Sequence, residues 1–227
     1  MIERIVLGPL HTNTYIIATG KKECIIIDPG SEPEKICKNL EAINMVPHTI
    51  LLTHGHIDHT SGCRGIQKYF EEKGVSVRIG IHEKDSQFLG NESVDLNRSF
   101  LPPNSPRAQE AFDQMYGFLP EADFILEEGS TVLGTSIKVI YTPGHTPGSV
   151  CLYDESMEAL FTGDTLFFDG IGHTSIPQGE PQALLDSING RLLTLPTTTR
   201  VFPGHGPYTT IERENRDNQY KTDHGML

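Results

Sequence analysis

The sequence predicts a mixed α/β fold, a sandwich in which helices lie outside two β-sheets. Three observations support this class. Short segments rich in β-branched residues recur along the chain, amphipathic helical segments alternate with them, and some neighbouring strands are joined only by short turns. Alternating elements of this kind are typical of helices packed on sheets around a hydrophobic core.

The first part of the chain is predicted to be mostly strands. Strands are expected at residues 2–7, 14–18 and 24–27, separated by glycine-containing turns. Ser31 with Glu34 predicts a capping box that opens a helix running to about Ala42. Beyond that helix we expect a buried strand at 49–53, a loop at 54–59, a helix at about 62–73 and a strand at 75–81.

The stretch 83–120 differs from its surroundings. It is polar, its periodicity is weak, and it contains Pro102, Pro103, Pro106 and Pro120. A stretch of this length in a compact domain is typical of a lid or binding insertion, with a short helix expected at 107–116. Beyond it we expect strands at 131–133, 137–141, 150–153, 159–162 and 200–202, with helices at 184–192 and 211–220. We predict one domain over residues 1–227, with 83–120 inserted in it.

Composition and charge exclude several classes of function. The 227-residue chain has a net charge of −12, which disfavours binding to the phosphate backbone of nucleic acids. It has no apolar run near the roughly 18 residues that span a bilayer, and its start lacks the apolar core of a signal peptide. We therefore expect a soluble, cytoplasmic protein that acts on a small molecule.

Cys24, Cys37, Cys63 and Cys151 include no CxxC pair, and each lies in a predicted strand or helix. In a cytoplasmic protein this indicates reduced structural thiols. An alternative for Cys63 is a reactive thiol, because it lies close in sequence to a group of histidines.

That group follows the predicted strand at 49–53 and holds three histidines and one carboxylate: His54, His56, Asp58 and His59. Imidazoles this close together would repel one another if protonated, whereas neutral imidazoles are good metal ligands. Side chains alternate along an extended chain, so His54 and His56 are expected to point toward one ion. Asp58 and His59 are then expected to turn toward a second ion.

Three further polar residues follow predicted strands in loops that contain glycine. They are His145 in a Pro-Gly-His loop, Asp164 after Gly163, and His205 in a Pro-Gly-His-Gly loop. Each alone has an ordinary explanation, since a histidine can be a turn residue and an aspartate a cap. Strand ends are also where sites form in α/β proteins, and these nitrogen and oxygen donors suit zinc, iron or manganese.

The motifs HxHxDH, PGH, GD and PGHG, in this order, resemble the metallo-β-lactamase fold. Within it the chain is most similar to short bacterial glyoxalase II-like hydrolases. The resemblance covers nearly all of the chain and includes residues 12–15, 27–30 and 206–211. It implies an αββα four-layer sandwich, with two mixed sheets inside and metals at one edge.

The resemblance also implies a role for each candidate residue. His54, His56 and His145 would hold one divalent ion, and Asp58, His59 and His205 a second. Asp164 would bridge the two ions, and Asp28 would orient the histidine loop by contacts to the ligands. The alternative for Asp28 is a residue of the turn that enters the next helix, and the two roles are compatible. Zinc is the expected metal, with iron or manganese as alternatives.

The chemistry implied is thioester hydrolysis. A water that bridges two cations has its pKa lowered to about 7 or below, and the resulting hydroxide attacks a metal-polarised carbonyl. Asp58 and Asp164 are the candidate catalytic residues, Asp58 also as a proton acceptor. The expected substrate is an S-(2-hydroxyacyl)glutathione or a related thioester.

One segment departs from the family pattern. Similar hydrolases often read GRTDxP or GRSDxP where this chain has Gly172-His173-Thr174-Ser175-Ile176-Pro177, so that His173 replaces an arginine and Ser175 an aspartate. His173 is a candidate substrate contact, and the alternative is a polar loop residue. The remaining histidines are expected to be structural or on the surface: His11, His48, His82 and His224.

Other functions are compatible with the same fold. A lactonase would use the same ligands, and a persulfide dioxygenase would use one iron and part of the set. A β-lactamase is less favoured because such enzymes generally lack the bridging aspartate, and a nuclease is disfavoured by the acidic charge. A non-catalytic binding module is the least favoured, because all seven ligand positions are filled. The oligomeric state is not predicted.

Overall fold

The first compact unit, Met1–Leu126, contains a six-stranded mixed sheet among the residues that the structure describes. This structure is a computed structural model, and it describes residues 1–90, 93–101, 105–115 and 117–221. The strands lie side by side in chain order: β1 (Ile2–Leu7), β2 (Thr12–Ala18), β3 (Glu23–Ile27), β4 (Val46–Leu51), β5 (Arg78–Ile81) and β6 (Phe124–Ile125). Pairs up to β2–β3 are antiparallel, and pairs from β3–β4 onward are parallel.

Helices supply the other half of this unit's core. They are α1 (Pro33–Ala42), α2 (Ile57–Thr60), α3 (Cys63–Glu71), a 3-10 helix (Glu83–Phe88), α4 (Val94–Ser99) and α5 (Pro106–Met115). Ile36 and Leu40 of α1 and Ile66 and Phe70 of α3 are buried in one cluster with residues of the strands. Their i, i+4 spacing places each pair on one face of its helix. This core gives rigid support to the loops at the carboxyl ends of β3 and β4.

The predicted start of α1 was wrong. Ser31 caps no helix, and the N-cap is Glu32, which has a left-handed φ of 64° and makes no side-chain capping bond. The cause is Pro33, because a proline disfavours the helical conformation in the residue before it. The Glu32 carboxylate instead accepts a hydrogen bond from the backbone N–H of Gly8 at 3.1 Å.

The predicted loop at 54–59 was only partly right. Residues from His54 to His56 are non-helical, but α2 begins at Ile57 and includes Asp58 and His59. The turn is closed by a bond from the Ser61 N–H to the Ile57 carbonyl at 2.9 Å. A helix of four residues is not stable by itself, so tertiary contacts must hold it.

The second compact unit, Glu127–Leu227, has its own mixed sheet of five strands within its described part. Its strands along the chain are β7 (Ile137–Tyr141), β8 (Val150–Asp154), β9 (Ala159–Gly163), β10 (Leu166–Phe167), β11 (Gly170–Ile171), β12 (Arg200–Pro203) and β13 (Thr209–Thr210). The sheet order is β13-β12-β9-β8-β7, with β9 and β12 parallel, and β10 and β11 form a separate hairpin. Helix α6 (Pro181–Ser187), a π-helical turn (Ile188–Leu192) and α7 (Ile211–Asp217) complete the unit.

Two further predictions about secondary structure needed correction. Residues 131–133 form no strand, and Thr131 makes only an isolated bridge to Lys138. The 83–120 stretch is more helical than expected: it contains α4, which was not predicted, and α5, which begins at Pro106. Pro102, Pro103, Tyr116 and His224 lie outside the described residues. The lid role and the single domain stay predictions, and no helix in the described ranges is long and apolar enough to cross a membrane.

The four cysteines are free thiols buried in the structure, as predicted. Burial raises the pKa of the Cys24 thiol to about 12 and of the Cys37 thiol to about 11, and it also raises the pKa of Cys63. The thiolate is the reactive form, so the structure argues against the alternative of a reactive Cys63.

We expect all four thiols to resist the thiol reagent DTNB in the native protein at pH 8. Burial shields all four thiols from the reagent, and the raised pKa values of Cys24, Cys37 and Cys63 keep those three protonated at this pH. Reaction should therefore be at least about 100-fold slower than in the unfolded chain. The measurement is absorbance of the released thiolate with and without denaturant. Rapid labelling of one thiol in the native state would contradict this burial.

Candidate functional site

The first group of candidate residues lies where parallel pairing brings two loops together. Ile27 of β3 is opposite Leu51 of β4, so the residues that follow both strands lie at the same edge of the sheet. The Asp28 N–H donates to the Leu51 carbonyl at 3.0 Å. Asp28 is therefore placed beside Thr53, which immediately precedes the histidine motif.

The buried carboxylate of Asp28 accepts three hydrogen bonds from this motif. Its Oδ1 accepts from the Thr53 N–H at 2.8 Å, and its Oδ2 accepts from the Thr53 hydroxyl at 2.6 Å. The same Oδ2 lies 2.9 Å from Nδ1 of His59. Asp28 has a left-handed φ of 48°, which is unfavourable for a non-glycine residue and marks a position held by its surroundings.

These contacts assign the tautomers of two histidines. An ionised carboxylate only accepts, so His59 donates from Nδ1 to Asp28, and its Nε2 carries a lone pair when the ring is neutral. The Thr53 hydroxyl gives its single proton to Asp28, so it must accept from Nδ1 of His54, 3.1 Å away. His54 is thereby also left with its Nε2 lone pair for a metal.

Asp58 completes the arrangement around His59. Its Oδ2 lies 3.4 Å from Nε2 of His59 and accepts a hydrogen bond from the Thr12 hydroxyl at 3.0 Å. Two atoms bound to one zinc at about 2.0–2.1 Å and tetrahedral angles are roughly 3.3 Å apart. The donor set of this unit therefore fits a divalent ion, and ligand atoms of Asp28, His54 and His59 also lie within 4.8 Å of one another.

His56 is half-buried against residues of the 83–120 stretch. Its ring centroid lies 4.8 Å from that of Phe100 and 5.7 Å from that of Phe88. The buried carboxylate of Asp85 accepts a hydrogen bond from the Gly55 N–H at 2.8 Å. A side chain on Gly55 would meet the Phe88 ring at 2.4 Å, so this position requires glycine. The start of the predicted lid thus supports the histidine loop.

The second group lies at the edge of the other sheet, in the second unit. β9 and β12 are parallel, Gly163 is opposite Pro203, and the Gly204 N–H donates to the Gly163 carbonyl at 2.7 Å. Asp164 follows β9 directly and His205 is the second residue after β12, so the two lie side by side. Nε2 of His205 is 3.5 Å from Oδ2 of Asp164.

His145 reaches the same carboxylate from the loop between β7 and β8. Its Nε2 lies 3.7 Å from Oδ2 of Asp164, while its Nδ1 donates to the backbone carbonyl of His173 at 2.7 Å. A neutral His145 therefore has its Nε2 lone pair directed toward Asp164. One oxygen of Asp164 thus lies between two imidazole nitrogens, at spacings near those of atoms that share a metal ion.

Helix α6 anchors the loop that carries His145. The Gly144 carbonyl accepts from the Glu180 N–H at 2.8 Å, and the Pro143 carbonyl accepts from the Ser187 hydroxyl at 2.8 Å. Gly144 has a φ of 142°, and a side chain there would lie 2.3 Å from the backbone nitrogen of Leu184. The glycine in this Pro-Gly-His motif is thus required by a close backbone approach.

Each unit thus collects its own candidate ligands. His54, His56, Asp58 and His59, with Asp28, lie together in the first, and His145, Asp164 and His205 lie together in the second. That the two sets hold the same pair of ions stays a prediction.

The structure also places the remaining histidines and shows what sequence reasoning missed. The His173 side chain is exposed, and its carbonyl orients His145; its role as a substrate contact stays a prediction. His48 and His82 make local structural contacts, and His11 is exposed. The supporting residues Thr12, Thr53 and Asp85 had no motif of their own, although Thr12 lies in a segment that carries the resemblance.

Comparison with known proteins decides the family. The family model described as the metallo-β-lactamase superfamily matches residues 7–205. The chain belongs to this superfamily. It is 34% identical over 220 residues to hydroxyacylglutathione hydrolase GloC of Haemophilus influenzae, covering 96% of this chain and 97% of that protein. It is also 34% identical to the probable metallo-hydrolase YqgX of Bacillus subtilis, covering 96% and 95% of the two chains.

Solved metallo-β-lactamase-fold structures confirm the predicted fold class. The crystal structure of the BLEG-1 B3 metallo-β-lactamase matches with a TM-score of 0.83 and 34% identity, covering 98% of this chain and all of that one. That of TTHA1623 in a di-iron-bound form matches with a TM-score of 0.78 and 32% identity, covering 96% and 99%. This superfamily member is a metal-dependent hydrolase with a His/Asp cluster for divalent ions.

We expect Asp28→Asn to weaken metal binding by about 10–100-fold, as is typical when a residue that hydrogen-bonds to a metal ligand is replaced. The amide nitrogen of asparagine cannot accept a hydrogen bond, so at least one of the donors from Thr53 and His59 would lose its acceptor. Chelator competition followed by elemental analysis measures the effect. Asp123→Asn is the control, because Asp123 accepts from the Ile79 N–H and an amide oxygen keeps that bond. Equal metal affinity of both variants would contradict the role of Asp28.

We expect Gly172→Ala to destabilise the fold by about 1–3 kcal/mol and to lower metal content. A side chain there would lie 1.8 Å from the Asp164 carbonyl oxygen and 3.3 Å from Cβ of His145. Gly190→Ala is the control, because its new methyl group would meet nothing within 4 Å. Denaturant midpoints and metal content, measured on both variants, test this. A Gly172→Ala protein with wild-type values would refute the close approach.

Proposed function

We propose that this metallo-β-lactamase superfamily member is a thioesterase that hydrolyses S-(2-hydroxyacyl)glutathione or a related thioester. The observation that carries this proposal is the 34% identity to GloC, which extends over 96% of this chain and 97% of that hydrolase. A relationship over nearly the full length of both chains spans the segments that hold the candidate ligands. We further propose that it acts in the cytoplasm.

We propose that two divalent ions are held by seven side chains: His54, His56, Asp58, His59, His145, Asp164 and His205. Zinc is the expected ion, and iron is the alternative that the di-iron form of TTHA1623 supports. The assigned tautomers support the proposal, because His54, His59 and His145 all use Nδ1 for hydrogen bonds to the protein.

When bound, the two ions would lower the pKa of water held between them to about 7 and polarise the thioester carbonyl. The protein's part is to keep the donors oriented and correctly spaced. Asp28 does this for His59 directly and for His54 through Thr53. Asp58, whose Oδ2 accepts a hydrogen bond from the Thr12 hydroxyl, is the proposed acceptor for the proton that the nucleophilic water loses.

A second candidate is β-lactam hydrolysis. It is favoured by the likeness to BLEG-1, a structure named as a B3 metallo-β-lactamase with 34% identity and a TM-score of 0.83. The same polarised carbonyl and activated water would open a lactam ring. The bridging position proposed for Asp164 favours the thioesterase, so we treat the lactam as the competing substrate in the assay.

We expect about two metal ions per chain in purified protein, hydrolysis of S-lactoylglutathione, and loss of that activity on chelation. His205→Ala should lower kcat/KM by more than the roughly 10–100-fold typical of changes behind the ligands. His82→Ala is the control, since His82 caps the 3-10 helix at Glu83–Phe88 and is not among the proposed ligands.

Other results would overturn the proposal. Turnover of a β-lactam with no thioester cleavage would select the second candidate. One iron per chain with oxygen uptake on glutathione persulfide, and no hydrolysis, would indicate a persulfide dioxygenase.

A further inference from the structure

A short hairpin in the second unit links two of its candidate ligands. We call residues 164–173 the ligand hairpin: it begins at Asp164 and ends at His173, whose carbonyl holds His145. Its strands β10 and β11 pair Leu166 with Ile171 and Phe167 with Gly170. The Gly172 N–H also donates to the Thr165 carbonyl at 3.2 Å. The position of the hairpin therefore affects both Asp164 and His145.

Helix α7 grips the tip of this hairpin through Arg213. The guanidinium makes two hydrogen bonds to the Asp169 carboxylate, at 3.2 and 2.9 Å. Its carbon also lies 3.7 Å from the centroid of the Phe168 ring. A forked arginine–carboxylate pair fixes direction as well as distance, which a lysine cannot reproduce.

Glu214 is a fully buried carboxylate that joins three segments. Its Oε2 accepts from the Asp169 N–H at 3.2 Å and from the Asn218 amide at 2.8 Å. Its Oε1 accepts from the Thr209 hydroxyl at 2.6 Å and from Arg213 at 2.8 Å. A buried carboxylate is costly unless several donors compensate it, and here four donors do.

Through Thr209 the same carboxylate reaches the segment that follows His205. Thr209 lies in β13, which pairs with β12, and β12 leads into the loop that carries His205. Glu214 therefore ties the hairpin of Asp164 to the strand next to His205. Hydrogen bonds and strand pairing thus connect all three candidate ligands of this unit to one buried carboxylate, which is remote in sequence from two of them.

We propose that Glu214 and Arg213 are positioning residues that set the spacing of Asp164, His145 and His205 for metal binding. The inference rests on the proposed function in assuming that these three side chains are ligands. An apolar contact would hold α7 against the sheet at lower cost. The charged network of Arg213 and Glu214 instead fixes the position of the ligand hairpin. Such a network has a purpose if the ligand spacing must be accurate to about a few tenths of an ångström.

The test compares Glu214→Gln and Arg213→Lys with Arg216→Lys. Arg216 is a matched control because it also forms a forked pair with an aspartate, but its partner Asp217 is the next residue in the same helix. Affinity for zinc is measured by chelator competition, and melting temperature with and without zinc. The spectrum of the cobalt-substituted protein reports ligand geometry directly.

We expect both test variants to bind at least one zinc about 10–100-fold more weakly. Their gain in melting temperature on zinc addition should shrink, because that gain follows the affinity. Their cobalt spectra should differ from the wild-type spectrum, and Arg216→Lys should match wild type in every measurement. Should Glu214→Gln fail to fold, Asp169→Asn removes the charge of the carboxylate that pairs with Arg213, and so tests the contact of α7 with the hairpin at its exposed tip.

Two outcomes would overturn the inference, and they are distinguishable. In the first, the melting temperatures of both variants fall by equal amounts with and without zinc, and both bind zinc as tightly as wild type. The contacts of Arg213 and Glu214 are then only structural. If wild-type protein itself binds neither zinc nor iron, the proposed function fails and this inference fails with it.

Discussion

The hydrogen bonds of the Asp28 carboxylate are the interactions on which the histidine loop of the first unit depends. The carboxylate accepts hydrogen bonds from the backbone N–H and the hydroxyl of Thr53 and from the ring N–H of His59. Asp28, Thr53, His54 and His59 are all buried at the ends of two strands. Without these hydrogen bonds their polar groups would lack partners, at a cost of about 1–3 kcal/mol for each group. The same bonds direct the Nε2 lone pairs of His54 and His59 away from Asp28. Packing, hydrogen bonding and ligand chemistry are thus satisfied by one group.

Both units solve the problem of assembling polar residues in the same way. Each uses a pair of parallel strands, β3–β4 in one and β9–β12 in the other, whose carboxyl ends meet at one edge. Parallel neighbours must be joined by long connections, so ligands distant in sequence become adjacent. Asp28 with His59 and Asp164 with His205 are the results. The helices α1 and α3 pack in the core of the first unit, and α6 holds the loop of His145 in the second.

The departures of this chain from its family's pattern have a simple structural reading at one position. His173 stands where related hydrolases often have arginine, yet its contribution to the site is a backbone carbonyl that accepts from His145. Any residue supplies that carbonyl, so the orientation of His145 survives the substitution. The exposed side chain is then available for other contacts. In the 83–120 stretch, the rings of Phe88 and Phe100 pack against His56, a contact that the sequence did not predict.

The sequence by itself determined the candidate ligands, the fold class and most strand positions, including the bounds of β7. These follow from local periodicity and from motifs whose members lie within a few residues of one another. Tertiary structure alone decided that Asp85 holds Gly55, 30 residues away, and that Glu214 holds the ligand hairpin, 45 residues away. It also decided that α2 begins at Ile57. The physical reason is that hydrogen bonds between distant segments depend on the path of the whole chain, which local periodicity does not encode.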